Sequence, residues 1–217
     1  MFYSYYKNKV SISYGITVCN EHEELNDLLT QLFKYIDKND EVIILQDITK
    51  DDAKTNAVIE KYKERVKHVK ATLNNDFATF KNNLIQNATC DYLFQIDADE
   101  LPLRSLLKRI KKRLYQKSDY DCFLVPRVNI VNGLTEAHIK KWNWTVDKFN
   151  RVNFPDYQTR ILKLNGRIKW QFKVHETLCG FEKSRNLPQR NQNYCLMHIK
   201  NIKRQEVQND FYDTLQP

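Results

Sequence analysis

Two hydrophobic periods alternate along the first half of the chain. "SISYGITVC" (Ser11 to Cys19) is β-branched and partly alternating, which predicts a strand. "EHEELNDLLTQLFKYI" (Glu21 to Ile36) then sets Leu25, Leu28, Leu29, Leu32 and Ile36 at helical spacing. "EVIILQD" (Glu41 to Asp47) is a short, nearly continuous apolar run, the pattern of a strand covered on both faces, and a helix is predicted over Asp52 to Arg65. "KHVKATL" and "DFATFKNNLIQNAT" repeat strand and helix, and "DYLFQID" (Asp91 to Asp97) adds a fourth strand. Such alternation predicts an α/β fold with a mostly parallel, doubly wound sheet, helices on both faces and ligands at the carboxyl ends of the strands.

Beyond residue 100 the pattern changes. Pro102 fits the first turn of a helix that carries "LLKRIKKRL", and "YDCFLVPRV" (Tyr120 to Val128) predicts another strand. From Asn129 to Phe154 the chain is polar and aromatic without a clean period, which predicts a long functional loop or small subdomain. "YQTRILKLNGRIKWQF" (Tyr157 to Phe172) carries Asn165-Gly166 at its middle, the signature of a hairpin turn. No repeat or linker divides the 217 residues, so a single domain over 1–217 is expected.

Composition narrows the class. Hydrophobic residues make up 41%, and no run approaches the roughly 18 apolar residues of a membrane span. "MFYSYYKNKV" lacks the apolar stretch and small-residue cleavage site of a secretory signal, which predicts a cytoplasmic location. The five cysteines are odd in number, scattered and never in a CxxC pair, which predicts reduced, mostly buried thiols. A formal charge of +8 keeps anionic partners open, although patches such as "LLKRIKKRL" and Lys61 to Lys70 read first as solvated helix faces.

"DYLFQIDADE" sharpens the picture. Asp97, Asp99 and Glu100 end a strand-like run, where like charges this close repel unless a cation offsets them. In an extended segment Asp97 and Asp99 point to one side, and hard divalent cations take carboxylate oxygens together with substrate phosphates. Alone, a DxD is equally an acidic turn before a helix. No GxGxxG or GxxxxGK[ST] occurs, and four glycines cannot build a Gly-rich phosphate cradle.

Four blocks in order, "YGITVCNEHEEL", "DFATFKNNLIQNATCDYLFQIDADE", "YQTRILKLNGRIKWQFKVHETLCG" and "LMHIKN", resemble the GT-A glycosyltransferases, specifically the family 2-like enzymes that include bacterial lipopolysaccharide core glucosyltransferases. The resemblance implies the GT-A fold, with a hairpin and C-terminal helix added to the sheet. It implies a nucleotide-sugar-binding half over 1–100 and an acceptor-binding and catalytic half over 101–217. Thr17, Cys19, Glu21 and Asp47 then stand where the nucleoside is gripped, and Asp76 and Lys81 over the base and phosphates. Asp97 and Asp99 match the DxD that binds Mn²⁺ or Mg²⁺ with the sugar diphosphate, and His198 matches a histidine that completes the metal shell. Glu100 fits the variant "DADE", with capping of the next helix as its plainer role.

"KVHE" stands at the position of the catalytic acid, making Glu176 the expected general base and Asp156 the reserve, with His175 beside it either orienting it or simply packed. Arg160 and Lys200 are expected to neutralise the departing diphosphate. Trp142, Trp144 and Trp170 are placed near the acceptor, Trp170 being equally at home in the core. The implied activity is metal-dependent, inverting transfer of a sugar from a UDP-linked donor to a saccharide or glycoconjugate. A phage or viral enzyme acting on hydroxymethylated DNA bases stays open, as does peripheral membrane contact through the basic helix. A nucleotidyltransferase fits less well because "TVCNEHEE" lacks its Gly-rich loop, and a nucleic-acid-binding module less well because the acidic cluster would repel phosphates.

Overall fold

The computed structural model describes residues 3–215, so Met1, Phe2, Gln216 and Pro217 lie outside the description. The chain begins with α1 (Tyr3–Lys7), β1 (Ile12–Val18), α2 (His22–Tyr35), β2 (Glu41–Asp47), α3 (Ala53–Lys61), β3 (Lys67–Ala71), α4 (Phe77–Asn87) and β4 (Tyr92–Asp97). It continues with β5 (Glu100–Pro102), α5 (Arg104–Gln116), β6 (Cys122–Asn132), α6 (Glu136–Lys141) and β7 (Val152–Lys163). The short strands β8 (Lys169–Gln171), β9 (Thr177–Cys179) and β10 (Ser184–Asn186) precede β11 (Leu196–Asn201) and α7 (Ile202–Leu215).

The main sheet runs β3-β2-β1-β4-β7-β6-β11-β5, with β10 beside β6. β1 pairs in parallel with β2 and β4, and β2 with β3, while β7 lies antiparallel to both β4 and β6. The continuous apolar run of β2 is explained by its neighbours on both faces. Val42 and Ile44 join the core under α2 and α5, whereas Ile43 and Leu45 join the core with Phe80 and Leu84 of α4. Gly15 of β1 lets α4 come close: a Cβ there would stand 2.8 Å from Leu93 Cδ1 and 3.1 Å from Leu84. The order reverses at β1, with β2 on one side and β4 on the other, which opens a crevice beyond their carboxyl ends.

The second half differs from the sequence expectation in three places. Pro102 ends β5, antiparallel to β11, and α5 starts only at Arg104. The segment from Asn129 to Phe154 is mostly ordered, because β6 runs on to Asn132, α6 follows, and β7 begins at Val152. Asn165-Gly166 does not close a hairpin: β7 stays in the main sheet between β4 and β6, and β8 leaves to pair with β9 instead. Leu162 and Ile168, on either side of the turn, both fill the core beside α4, so burial there overrides the local turn preference. Among the cysteines only Cys122 and Cys195 are buried; Cys19, Cys90 and Cys179 are half-buried, and all five are free.

Candidate active site

A cleft of about 740 Å³ opens beyond the carboxyl ends of β1, β2 and β4 and is walled by β6, β7, β11 and the segment before β9. Thr17 and Asp97 are register partners across β1 and β4, and the Thr17 hydroxyl donates to Asp97 Oδ1 at 2.7 Å. Cys19 and Asn20 donate their backbone N–H groups to Glu21 Oε2 at 2.9 and 3.1 Å, fixing the turn into α2. Asp47 Oδ1 accepts from Thr49 N at 3.0 Å and Leu73 N at 3.1 Å, which ties the end of β2 to the end of β3.

Beneath this rim runs a chain of ion pairs. Arg160 of β7, buried, reaches Asp97 at 2.6 Å and Glu100 at 2.5 Å with one guanidinium nitrogen. Arg127 of β6 joins Glu100 at 2.9 Å to Asp156 at 2.7 Å. Glu100 is fully buried and accepts from the Asp97 backbone N–H at 3.3 Å, so it supports the DxD from below and does not cap α5. Burial alone would raise the Asp97 pKa, but Arg160, Lys81 and the Thr17 hydroxyl overcome it and hold the carboxyl well below its ordinary range. Arg160 gains correspondingly: burial opposes its charge, and Asp97 and Glu100 raise its pKa. Asp97 therefore stays ionised, with one oxygen committed to Thr17 and the other to Arg160.

Asp99 has different company. Its Oδ2 lies 3.4 Å from His198 Nε2, 3.3 Å from Lys200 Nζ and 3.5 Å from Arg204 Nη2. Burial would raise its pKa, and His198 and Lys200 depress it well below the ordinary carboxylate range. The orientation of His198 follows from its neighbours. Asn129 Nδ2 donates to Asp156 Oδ2 at 2.9 Å, so Asn129 Oδ1 is the atom that faces His198 Nδ1 at 2.7 Å and must accept from it. Nδ1 thus carries a proton, and Nε2 is the nitrogen turned toward Asp99.

Carboxylate oxygen and imidazole nitrogen are a donor set suited to Mn²⁺, and an acceptor behind the other ring nitrogen, here Asn129 Oδ1, fixes the ring orientation as a metal-binding histidine requires. Among the described residues no three His, Cys, Asp or Glu side chains form a ready-made cage. The pair would fit only an open cation site, with its further ligands supplied from outside these side chains.

Glu176 and Asp156 occupy opposite chemical situations. Glu176 makes an ion pair with Lys81 of α4, whose Nζ also sits 5.0 Å from the Trp170 ring centroid. Asp156 accepts from Arg127 Nε at 2.8 Å, Asn129 Nδ2 at 2.9 Å and Gln158 Nε2 at 2.6 Å. Burial would raise the Asp156 pKa, but Arg127 and these donors lower it, leaving a weak base with both oxygens engaged. His175 lines the cleft with a positive φ of 55°, which turns the chain so that Glu176 follows into the same cleft. Gly180, at φ +80°, closes the strand pair behind it; a Cβ there would meet Arg167 O at 2.0 Å.

The cleft gathers Thr17, Cys19, Glu21, Asp47, Lys81, Asp97, Asp99, Asp156, Arg160, Glu176, His198 and Lys200. Asp76 stands outside it. It is the N-cap of α4, accepting from Thr79 N at 2.9 Å, one residue before the cleft-lining Phe77. Trp144 lines the cleft and packs on Trp142 with ring centroids 4.7 Å apart, whereas Trp170 is buried and donates its Nε1–H to Gln95 Oε1 at 2.9 Å, a core role. Sequence reading missed Arg127, Asn129 and Arg204. Arg204 also binds Glu21 at 3.0 Å and Glu24 at 2.6 Å, drawing the start of α7 across to α2. A lone arginine in "NIKRQE" carries no signal for this; only the fold brings residue 204 to residues 21 and 99.

The family model of glycosyl transferase family 2 matches residues 13–174. The chain belongs to glycosyl transferase family 2. Glycosyltransferase SunS, found in Bacillus subtilis strain 168 as a prophage-derived protein and in Bacillus phage SPbeta, is 26% identical over 176 residues. That alignment covers 80% of this chain, which spans 36% of the length of these curated relatives. The crystal structure of S. aureus TarS 1–349 superposes with a TM-score of 0.61 at 15% identity, covering 87% of this chain and 60% of that one. TarS 1–349 in complex with UDP-GlcNAc superposes with a TM-score of 0.59 at 16% identity, covering 88% and 58%. The fold is therefore that of the GT-A glycosyltransferases, and the family match spans the DxD strand and ends two residues before Glu176.

Proposed function

We propose that this family 2 domain moves one sugar from a nucleoside diphosphate donor, UDP-linked, to a hydroxyl of a saccharide or glycoconjugate, inverting the anomeric carbon. The observation that carries the reading is the convergence of Asp99 Oδ2, His198 Nε2, Lys200 Nζ and Arg204 Nη2 at the crevice where the sheet order reverses. That set of charges suits a diphosphate and its cation. The TarS relative solved with UDP-GlcNAc supports UDP as the nucleotide.

In this reading Thr17, Cys19, Glu21 and Asp47 hold the nucleoside in the half formed by residues 1–100. Asp99 and His198 hold Mn²⁺ or Mg²⁺, with Asp97 ionised beside them, and the cation would supply positive charge to the diphosphate as it departs. Lys200 and Arg204 add fixed positive charge at the same place. Arg160, committed to Asp97 and Glu100, keeps the DxD ionised and aimed.

Residues 101–217 present the acceptor. The acceptor oxygen attacks the anomeric carbon as its proton passes to Glu176, and the bond to the diphosphate oxygen breaks with its electron pair leaving on the diphosphate. Lys81 must let go of Glu176 for this, and a donor phosphate is the partner that takes it over. Asp156, a poor base under Arg127, binds a sugar hydroxyl. Trp144 offers an apolar face for the acceptor ring.

The test is release of UDP from a panel of UDP-sugars with Mn²⁺ and simple saccharides, with the anomeric configuration of any product read by NMR. Turnover of one UDP-sugar, abolished in Glu176→Gln, supports the reading. No consumption of any UDP-sugar, or a product of retained configuration, contradicts it.

A further inference from the structure

We propose that the face built by α1, the end of α2 and α5 is a docking surface for an anionic phospholipid bilayer. This inference is independent of the sugar-transfer reading. It starts from a second cavity of about 450 Å³, lined among others by Tyr6, Lys7, Lys34, Tyr35, Lys108 and Lys112. Lys111 marks its position. It binds Asn39 at 3.0 Å and Asp40 at 2.7 Å, just ahead of β2, so this cavity lies at the amino ends of the strands and the candidate active site at their carboxyl ends.

Charge there is one-sided. Lys34, Arg104, Lys108 and Lys112 are exposed, and none has a carboxylate partner among the described residues. The carboxylates nearby, Asp37 and Asp40, are engaged by Lys7 and Lys111. Two separate elements, α2 and α5, thus direct uncompensated cations at one concave spot, which a single solvated helix face does not do.

Aromatic rings border the same spot. Tyr5, Tyr6 and Tyr115 cluster with ring centroids 5.3 to 6.1 Å apart, and Tyr5 and Tyr115 remain 54% and 40% exposed. Lys9 and Lys112 lie over Tyr5 and Tyr6, and Arg104 and Lys108 over Tyr35. Tyrosines with lysines around them suit the headgroup layer, where ring and methylene stems find apolar contact and the polar tips find phosphate. α5 has already buried Leu106, Leu107, Ile110 and Leu114 in the core, so it has no apolar face to insert. Contact is with headgroups, through charge and tyrosines. Nucleic acid fits less well, since the cations surround a pocket and do not trace a groove. A bilayer held here leaves the cleft open on the far side.

The experiment is co-sedimentation of the whole chain with vesicles of phosphatidylcholine alone or mixed with phosphatidylserine. The wild type is expected to bind the mixed vesicles at least about tenfold better, and Lys34→Gln/Lys108→Gln/Lys112→Gln to lose at least about tenfold with its melting temperature unchanged. Tyr5→Ser/Tyr115→Ser is expected to lose binding as well. Asp99→Asn, at the other end of the strands, is expected to bind like the wild type. Equal binding to both vesicles, undiminished binding by the folded triple variant, or release of protein from vesicles by inorganic phosphate or a short DNA duplex at charge parity would overturn the proposal.

Discussion

Lys81 of α4 and Glu176 of the segment before β9 are joined by an ion pair across the mouth of the cleft, although 95 residues separate them in sequence. Each keeps less than a fifth of its side chain exposed. The contact links α4 to the proposed base. Glu176→Gln retains the volume and an acceptor for Lys81, so the fold is expected to survive while turnover falls about 10²–10⁴-fold. Steady-state kinetics with the preferred UDP-sugar checks this, and a loss below about tenfold would move the base elsewhere.

Arg160 is the hub of the buried charges. Arg160→Met would leave Glu100 without one of its two cations and Asp97 without its nearest, and a cost of about 3–5 kcal/mol is expected from stranding a buried carboxylate. Urea unfolding measures it. A cost below about 1 kcal/mol would mean that Arg127 alone satisfies Glu100.

Lys111 makes the same point at the other end of the strands. It is buried and pairs with Asp40, whose side chain is fully buried, and with Asp37 at 3.0 Å. Lys111→Met is expected to cost about 3–5 kcal/mol, whereas Lys108→Met, three residues earlier and exposed, should fall within about 0.5 kcal/mol of the wild type.

Acid should unfold the protein through its depressed carboxyls. Asp97, Asp99 and Asp156 all titrate below the ordinary carboxylate range, so the stability they confer is present above the unfolded value of about 4 and is lost as pH falls through the folded values. Unfolding free energy should therefore be nearly flat for these groups from pH 7 to about 5 and drop below about 4. A steep loss already between pH 7 and 5 would contradict their assignment.

The first four strands and their helices were legible because each element carries its own signal: Leu25 to Leu32 at helical spacing, and Val42 to Leu45 as a run that two cores share. DADE at a strand end was legible as a charge problem, which Arg160, Arg127 and Lys200 meet in the fold. What stayed hidden depends on distant partners. Nothing near Glu100 announces Arg127 and Arg160, and nothing in "LKLNGRIKW" reveals that β7 has neighbours on both sides in the main sheet, so that β8 must pair elsewhere. The capping role of Asp76 was equally hidden, since an aspartate before a helix can cap it or face a ligand and the local sequence is the same.

In the proposed mechanism Asp99 and His198 would hold a divalent cation together with a nucleoside diphosphate. The most direct measurement is thermal melting of the wild type, Asp99→Asn and His198→Gln with MnCl₂ and UDP, added separately and together. UDP with Mn²⁺ is expected to raise the wild-type midpoint well beyond either alone, and both variants are expected to lose this joint shift. A wild type indifferent to UDP and Mn²⁺ together, or variants that respond as fully as the wild type, would contradict it.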